Sequence, residues 1–247
     1  MFTLDCHSLD SATKSLSAII GTTQDDLVAK LRSYLPREEW EDEPCEMLWR
    51  DIVGGERDFG KVVWFHFSRV RDPDSFSRHG ILPLSTAIDG IWPSVFDLIG
   101  NRLSERDKLE FRAGMDHYYD DRWAETYRRR LGKAMFWGPS AMLIRELSQS
   151  QRVNHYLSTP EIVEDILTSL DRNCGVKLIE EFKKKTVPCI VRFLGDADRP
   201  DALRDALFYV WLACHGEAID NATTFDGRGE PVLPYRIACV ERLAQDR

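Results

Sequence analysis

The chain has 247 residues, of which 43% are apolar, enough for a sizeable core and too many for general disorder. Its 41 Asp and Glu against 33 Lys and Arg leave a formal charge of −8, which excludes non-specific binding along a phosphate backbone but not a local basic pocket. No apolar run reaches the roughly 18–20 residues of a membrane span, and the opening stretch through Lys14 has no basic-then-apolar signal layout, so a soluble, cytoplasmic protein with no membrane partner is expected.

Residues 1–20 read as a lead-in of uncertain order. Thr22 or Thr23 can cap a helix whose first turn holds Asp25 and Asp26. Leu27, Leu31 and Leu35 recur at helical spacing, and Pro36 ends the run. Glu38, Glu39, Glu41, Asp42 and Glu43 form an acidic run, a solvated face or a docking patch for a protein partner. Gly54 and Gly55 break the pattern. Lys61 to Arg69 is short and dense in β-branched and aromatic residues, so it is a predicted strand. Asp72-Pro73-Asp74 starts a helix to about His79, and Gly80 stops it as a left-handed cap.

Residues 85–131 read as mostly helical, with one start at Ser104 and a further helix from Trp123 to Arg130. Gly132 to Gly138 interrupts them. Pro139 predicts a new helix, with Met142, Leu143 and Leu147 facing the core. Thr159-Pro160 opens another, lined by Ile162, Val163, Ile166, Leu167 and Leu170. A helix over about 174–185, a buried strand from Val187 to Leu194 and a helix over 200–214 follow. Asp226-Gly227-Arg228-Gly229 is a turn, and the last strand lies between Val232 and Leu243. With no repeat or low-complexity linker, the pattern predicts one α+β domain over 1–247. It comprises a helical N-terminal region, 1–55, and a core, 61–247, with a helical insertion at about 85–131.

Six cysteines fall at irregular intervals with no C-x-x-C pair, so reduced and mostly buried thiols are expected. Six scattered histidines show no metal-ligand spacing, and no metal is expected. Nucleophile-elbow, P-loop and dinucleotide-binding fingerprints are absent.

The segment His66-Phe67-Ser68-Arg69, followed after a short helix by Gly80-Ile81, carries the most chemistry. Alternation puts His66 and Ser68 on one strand face, where an imidazole and a hydroxyl can hold a ribose hydroxyl. With Gly132-Lys133-Ala134-Met135-Phe136-Trp137 and a late glutamate, it resembles the His-Tyr-Glu branch of the ADP-ribosyltransferase superfamily, which includes the poly-ADP-ribose polymerases. Two positions depart from that pattern: Phe67 stands where the family has a glycine, and Phe136 where it has a tyrosine.

The resemblance implies an ADP-ribosyltransferase-like fold, α+β with a small split sheet and a large helical insertion. It implies NAD as a substrate, transferred to a macromolecular acceptor, in an intracellular toxin or defence effector. It gives His66 to the 2′-hydroxyl of the nicotinamide ribose, Ser68 to bracing that ribose, Arg69 to the pyrophosphate and Phe136 to stacking on nicotinamide. Gly80 marks the turn after the first motif. Glu230 or Glu217 would stabilise charge at the ribose carbon or orient the acceptor. The alternative expectation is a non-enzymatic inhibitor or complex subunit that binds a protein partner through the acidic segment 38–46.

Overall fold

The computed structural model describes residues 1–35, 44–150, 153 and 155–244. The chain mixes helix and strand. It begins with β1 (Thr3–Leu4), α1 (Leu9–Ile20), α2 (Gln24–Ser33), α3 (Pro44–Ile52) and β2 (Lys61–Val70). Next come α4 (Ser75–His79), α5 (Leu84–Ile99), α6 (Glu105–Ala113), α7 (Arg122–Gly132) and β3 (Ser140–Met142). The remainder is α8 (His155–Ser158), α9 (Glu161–Cys174), α10 (Ile179–Lys185), β4 (Val187–Asp196), α11 (Asp201–Cys214), β5 (Thr224–Asp226) and β6 (Ile237–Arg242). The described strands form one sheet in the order β5–β3–β2–β4–β6, with β1 also on β2, so the expected split sheet gives way to a single one. β1 runs parallel to β2, Thr3 opposite Lys61, whereas β3 is antiparallel, Met142 opposite Phe65.

The residues cluster in two compact units. The first comprises Met1–His66, Ala141–Asn154 and Arg192–Phe225, and the second comprises Phe67–Ser140, His155–Val191 and Asp226–Arg247.

In the first unit, residues 1–20, whose order the sequence leaves uncertain, form β1 and α1. The Ser8 side chain accepts the Ser11 N–H, and the Ser8 N–H donates to Ser11 Oγ at 2.8 Å, a reciprocal cap that starts α1. Ala12, Leu16 and Ile19 are its buried face, and Gly21, at φ 84° and ψ 39°, closes it. Thr23 caps α2 as expected, and Leu27 and Leu31 are buried. Leu35 is instead exposed, because the helix stops at Ser33. The acids from Glu38 to Glu43 lie outside the described residues, while Glu46 is ion-paired with Arg204 of α11.

The predicted helix from Pro139 is a strand. The Pro139 carbonyl accepts the Gly227 N–H at 2.9 Å, and Phe65 is the β-partner of Met142. Pairing with a distant backbone overrides a local helix-start signal.

The second unit holds a helical layer on α5, α6, α7 and α9. Its core includes Trp92, Phe111, Met115, Tyr127, Ile166 and Leu170, all buried. Trp92 Nε1 donates to the Tyr127 hydroxyl at 3.0 Å, and that hydroxyl donates to Asp116 at 2.8 Å, so the aromatic core hides no unpaired polar group there. The five predicted apolar residues of α9 are all buried, although Pro160 rather than Thr159 is the cap residue and no side chain caps the end. Gly175, left-handed at φ 67°, ends α9 and confines the next helix to Ile179–Lys185, shorter than expected. The last strand is shorter too, since a 3₁₀ turn, Pro234–Arg236, precedes β6.

Candidate functional site

β2 carries the first candidate residues. Val62, Val63, Trp64, Phe65 and Phe67 are buried, whereas His66, Ser68 and Arg69 are half-buried. Alternation sets Trp64, His66 and Ser68 on one face and Phe67 on the other. Phe67 therefore sits in the core, on the face away from His66. Trp64 packs on Gly195 of β4, where an added Cβ would lie 2.6 Å from Trp64 Nε1, and its ring centroid is 5.7 Å from that of Phe225. Only a glycine admits this close approach.

Arg69 departs from its expected role. Its Nε donates to Thr186 Oγ1 at 2.9 Å. Its two terminal nitrogens donate to the carbonyls of Leu157, Lys183 and Thr186. Four of the five N–H donors of a guanidinium are thus occupied by the ends of α8 and α10. Burial lowers the pKa of this guanidinium from its ordinary value. The side chain clasps two helix ends to the strand, which removes it as a pyrophosphate ligand.

Three sequence-distant segments of the second unit meet through their backbones. Ile81 and Val232 exchange both hydrogen bonds, at 2.9 and 3.0 Å. Leu84 N–H donates to the Trp137 carbonyl at 2.8 Å. Gly229 N–H donates to the Gly138 carbonyl at 2.7 Å, and Gly227 N–H to that of Pro139. Gly80 is required for this closure, though not as the expected left-handed cap. It adopts φ 76° and ψ −163°, a region open essentially to glycine alone. A Cβ there would lie 2.0 Å from the Val232 carbonyl oxygen.

Phe136 and Glu230 belong to this loop cluster. Phe136 ends a 3₁₀ turn, Ala134–Phe136, with its ring exposed and the Arg129 guanidinium 6.0 Å from its centroid. Glu230 is exposed, its N–H donating to the Gly227 carbonyl at 2.9 Å. Glu217 belongs to the first unit, exposed just after α11, its N–H donating to the Leu212 carbonyl. The structure thus brings together the neighbourhoods of Gly80, Phe136 and Glu230, with His66 and Ser68 on the strand that leads to Gly80. Leu84, Trp137 and Val232, which hold the cluster, escape a reading of the sequence because they act through main-chain atoms.

Electrostatics divides the cations of α7. Arg130 is ion-paired with Glu161 and with Asp165, the latter at 2.9 Å. Burial pushes the Asp165 carboxyl up to about 6, against the pull of Arg130. Arg128 donates to the carbonyls of Met115 and Tyr119. Arg129 makes no ion pair among the described residues, and neither do Lys133 and Arg228, although all three are exposed. Arg228 also has φ 52°, the one non-glycine residue with positive φ among the described residues. Such a backbone costs roughly 1–2 kcal/mol, partly offset by Asp226, whose carboxylate accepts the Arg228 N–H at 2.9 Å.

The chain matches no family model, no curated protein and no solved structure. Among the described residues no helix is long and apolar enough to cross a membrane, and no three His, Cys, Asp or Glu residues are grouped to hold a metal ion.

Proposed function

We propose that the chain is an ADP-ribosyltransferase that consumes NAD, with a fold of that superfamily's kind. One observation supports this reading above the rest. The exit of the strand–helix–glycine segment that starts at His66 is hydrogen-bonded to the segment ending in Phe136-Trp137 and to the one following Glu230. The Gly80 end of the first motif island, the second island and the segment around Glu230 thereby meet in one loop cluster.

On this reading His66 holds the 2′-hydroxyl of the nicotinamide ribose and Ser68 braces that ribose. Phe136 keeps a stacking face for nicotinamide without a hydroxyl. As nicotinamide leaves, positive charge grows at the ribose carbon, and the carboxylate of Glu230 stabilises it or orients the acceptor. Glu230 is preferred to Glu217 because it lies in the loop cluster. Arg69, held by main-chain carbonyls, takes no part. Cys6, Cys174, Cys189, Cys214 and Cys239 are free thiols, which suits a reducing cytoplasm and an intracellular effector.

Purified protein given labelled NAD and cell lysate should release nicotinamide and transfer label to a macromolecule. His66→Ala and Glu230→Gln should each lower the rate at least ~100-fold with an unchanged melting temperature, and Glu217→Gln should not. If the unmodified chain shows no nicotinamide release and no label transfer, the reading is overturned.

A further inference from the structure

Trp137 enters the loop cluster by its side chain as well as by its carbonyl. The indole Nε1–H donates at 2.9 Å to the carbonyl of Leu131, in the last turn of α7, where carbonyls lack a helical partner. The six-membered ring of the same indole, at Cε3, lies 3.4 Å from where a Gly229 Cβ would stand. One side chain thus spans from a helix end to the turn that leads into Glu230. α7 is itself anchored in the helical layer, through Arg130 to Asp165 at 2.9 Å and through Arg128 to the carbonyls of Met115 and Tyr119.

That turn has a defined geometry. The Glu230 N–H donates to the Gly227 carbonyl at 2.9 Å, and both residues between them have positive φ, 52° at Arg228 and 86° at Gly229, the sense of a type I′ turn. Its backbone lies flush on Gly138-Pro139. Gly229 N–H donates to the Gly138 carbonyl and Gly227 N–H to that of Pro139, and a Cβ on Gly227 would come within 2.6 Å of Pro139 Cδ. The Glu230 carboxylate makes no hydrogen bond or ion pair among the described residues. The turn therefore sets where that carboxylate stands, and the Trp137 indole packs against the tip of the turn. Phe136 is held differently. Its N–H donates to the Lys133 carbonyl at 3.0 Å, and the Trp137 N–H to that of Ala134 at 3.1 Å, bonds in which the indole has no part.

We propose that Trp137 is a positioning residue for Glu230, its indole fixing the turn from Gly227 to Glu230 against the end of α7. The inference rests on the NAD reading, in which the Glu230 carboxylate meets the positive charge that grows at the ribose carbon as nicotinamide leaves. A group displaced by about 1 Å from its productive place loses on the order of 100-fold in rate. Without the indole the turn keeps its backbone bonds but tilts on them. NAD then binds as before, while its transition state is stabilised less.

The test is nicotinamide release by the full chain over a range of NAD concentrations, at a fixed amount of lysate. Trp137→Leu should lower kcat at least ~10-fold and leave KM for NAD within about twofold. Made on top of Glu230→Gln, the same substitution should cost less than about a further twofold, because the residue it acts through has already lost its carboxylate. Trp137→Phe, a smaller change should the Leu variant fail to fold, loses the bond to Leu131 and should lower kcat in the same direction with KM again unchanged. Amide exchange of Gly229 and Glu230 should quicken in either variant, while that of α9 does not. A raised KM with kcat unchanged, a full ~10-fold loss in the Glu230→Gln background, or kcat unchanged in both Trp137 variants overturns the proposal and leaves the NAD reading standing. An unmodified chain that releases no nicotinamide overturns both.

Discussion

The helical layer and the loop cluster of the second unit use the same residue types to opposite ends. In the helical layer, aromatic rings are buried, and each polar group among them meets a partner: Trp92 to Tyr127, Tyr127 to Asp116, Arg130 to Glu161 and Asp165. In the loop cluster, aromatic and aliphatic side chains stand in solvent, and backbone hydrogen bonds carry the closure. The helix α7 serves both, since Arg128 and Arg130 face inward to the layer while Arg129 lies over Phe136. Stability therefore rests on side chains in one region and on main-chain geometry in the other.

The sharpest break of that comparison is Trp92→Ala. Removing a fully buried indole leaves a cavity and takes the Nε1–H donor away from the Tyr127 hydroxyl, which keeps its bond to Asp116, so a loss of about 3–5 kcal/mol is expected by denaturant unfolding. Met135→Ser in the loop cluster should stay within about 0.5 kcal/mol. Comparable losses at both sites would erase the distinction.

Acidity probes the helical layer alone. The Asp165 carboxyl titrates at about 6 when folded and near its ordinary value of 3.8 when unfolded, because burial disfavours its charge. The native state binds the extra proton between those values. Its contribution favours folding below about pH 4 and is lost as pH rises through about 6, on the order of 3 kcal/mol over the window. Asp165→Asn should flatten that part of the curve of melting temperature against pH.

Gly80→Ala probes the loop cluster alone. The added Cβ meets the Val232 carbonyl, so the Ile81–Val232 pairing must open, at about 2 kcal/mol. Amide exchange of Ile81 and Val232 should quicken, while protection of α9 stays as it was.

How far the sequence foretold this architecture depends on which atoms do the work. The β-branched and aromatic run of β2 and the one-sided apolar spacing of α9 are side-chain patterns, and both appear where expected. α1 escaped because its Ser-rich surface dilutes the period of Ala12, Leu16 and Ile19. β3 escaped because Ala141 to Ile144 is too short an apolar run to tell strand from helix. Arg69 could be read as a cation but not as a clasp, since its acceptors are mostly carbonyls that every residue type carries. Gly80 was legible as a turn glycine, but the reason for it, the Val232 carbonyl, comes from the far end of the chain.

That last distance bears on when the loop cluster can close. Ile81 and Val232 are roughly 150 residues apart, so their pairing is a late, high-contact-order event. During translation at ~5–20 residues per second, Ile81 waits on the order of ten seconds for its partner to be made. The helices α5, α6, α7 and α9 all lie between Ile81 and Val232 in the chain and can pack in that interval. The loop cluster around Phe136 and Glu230 closes only once the segment that holds Val232 has been made, so a nascent chain can carry a packed helical layer before that cluster forms.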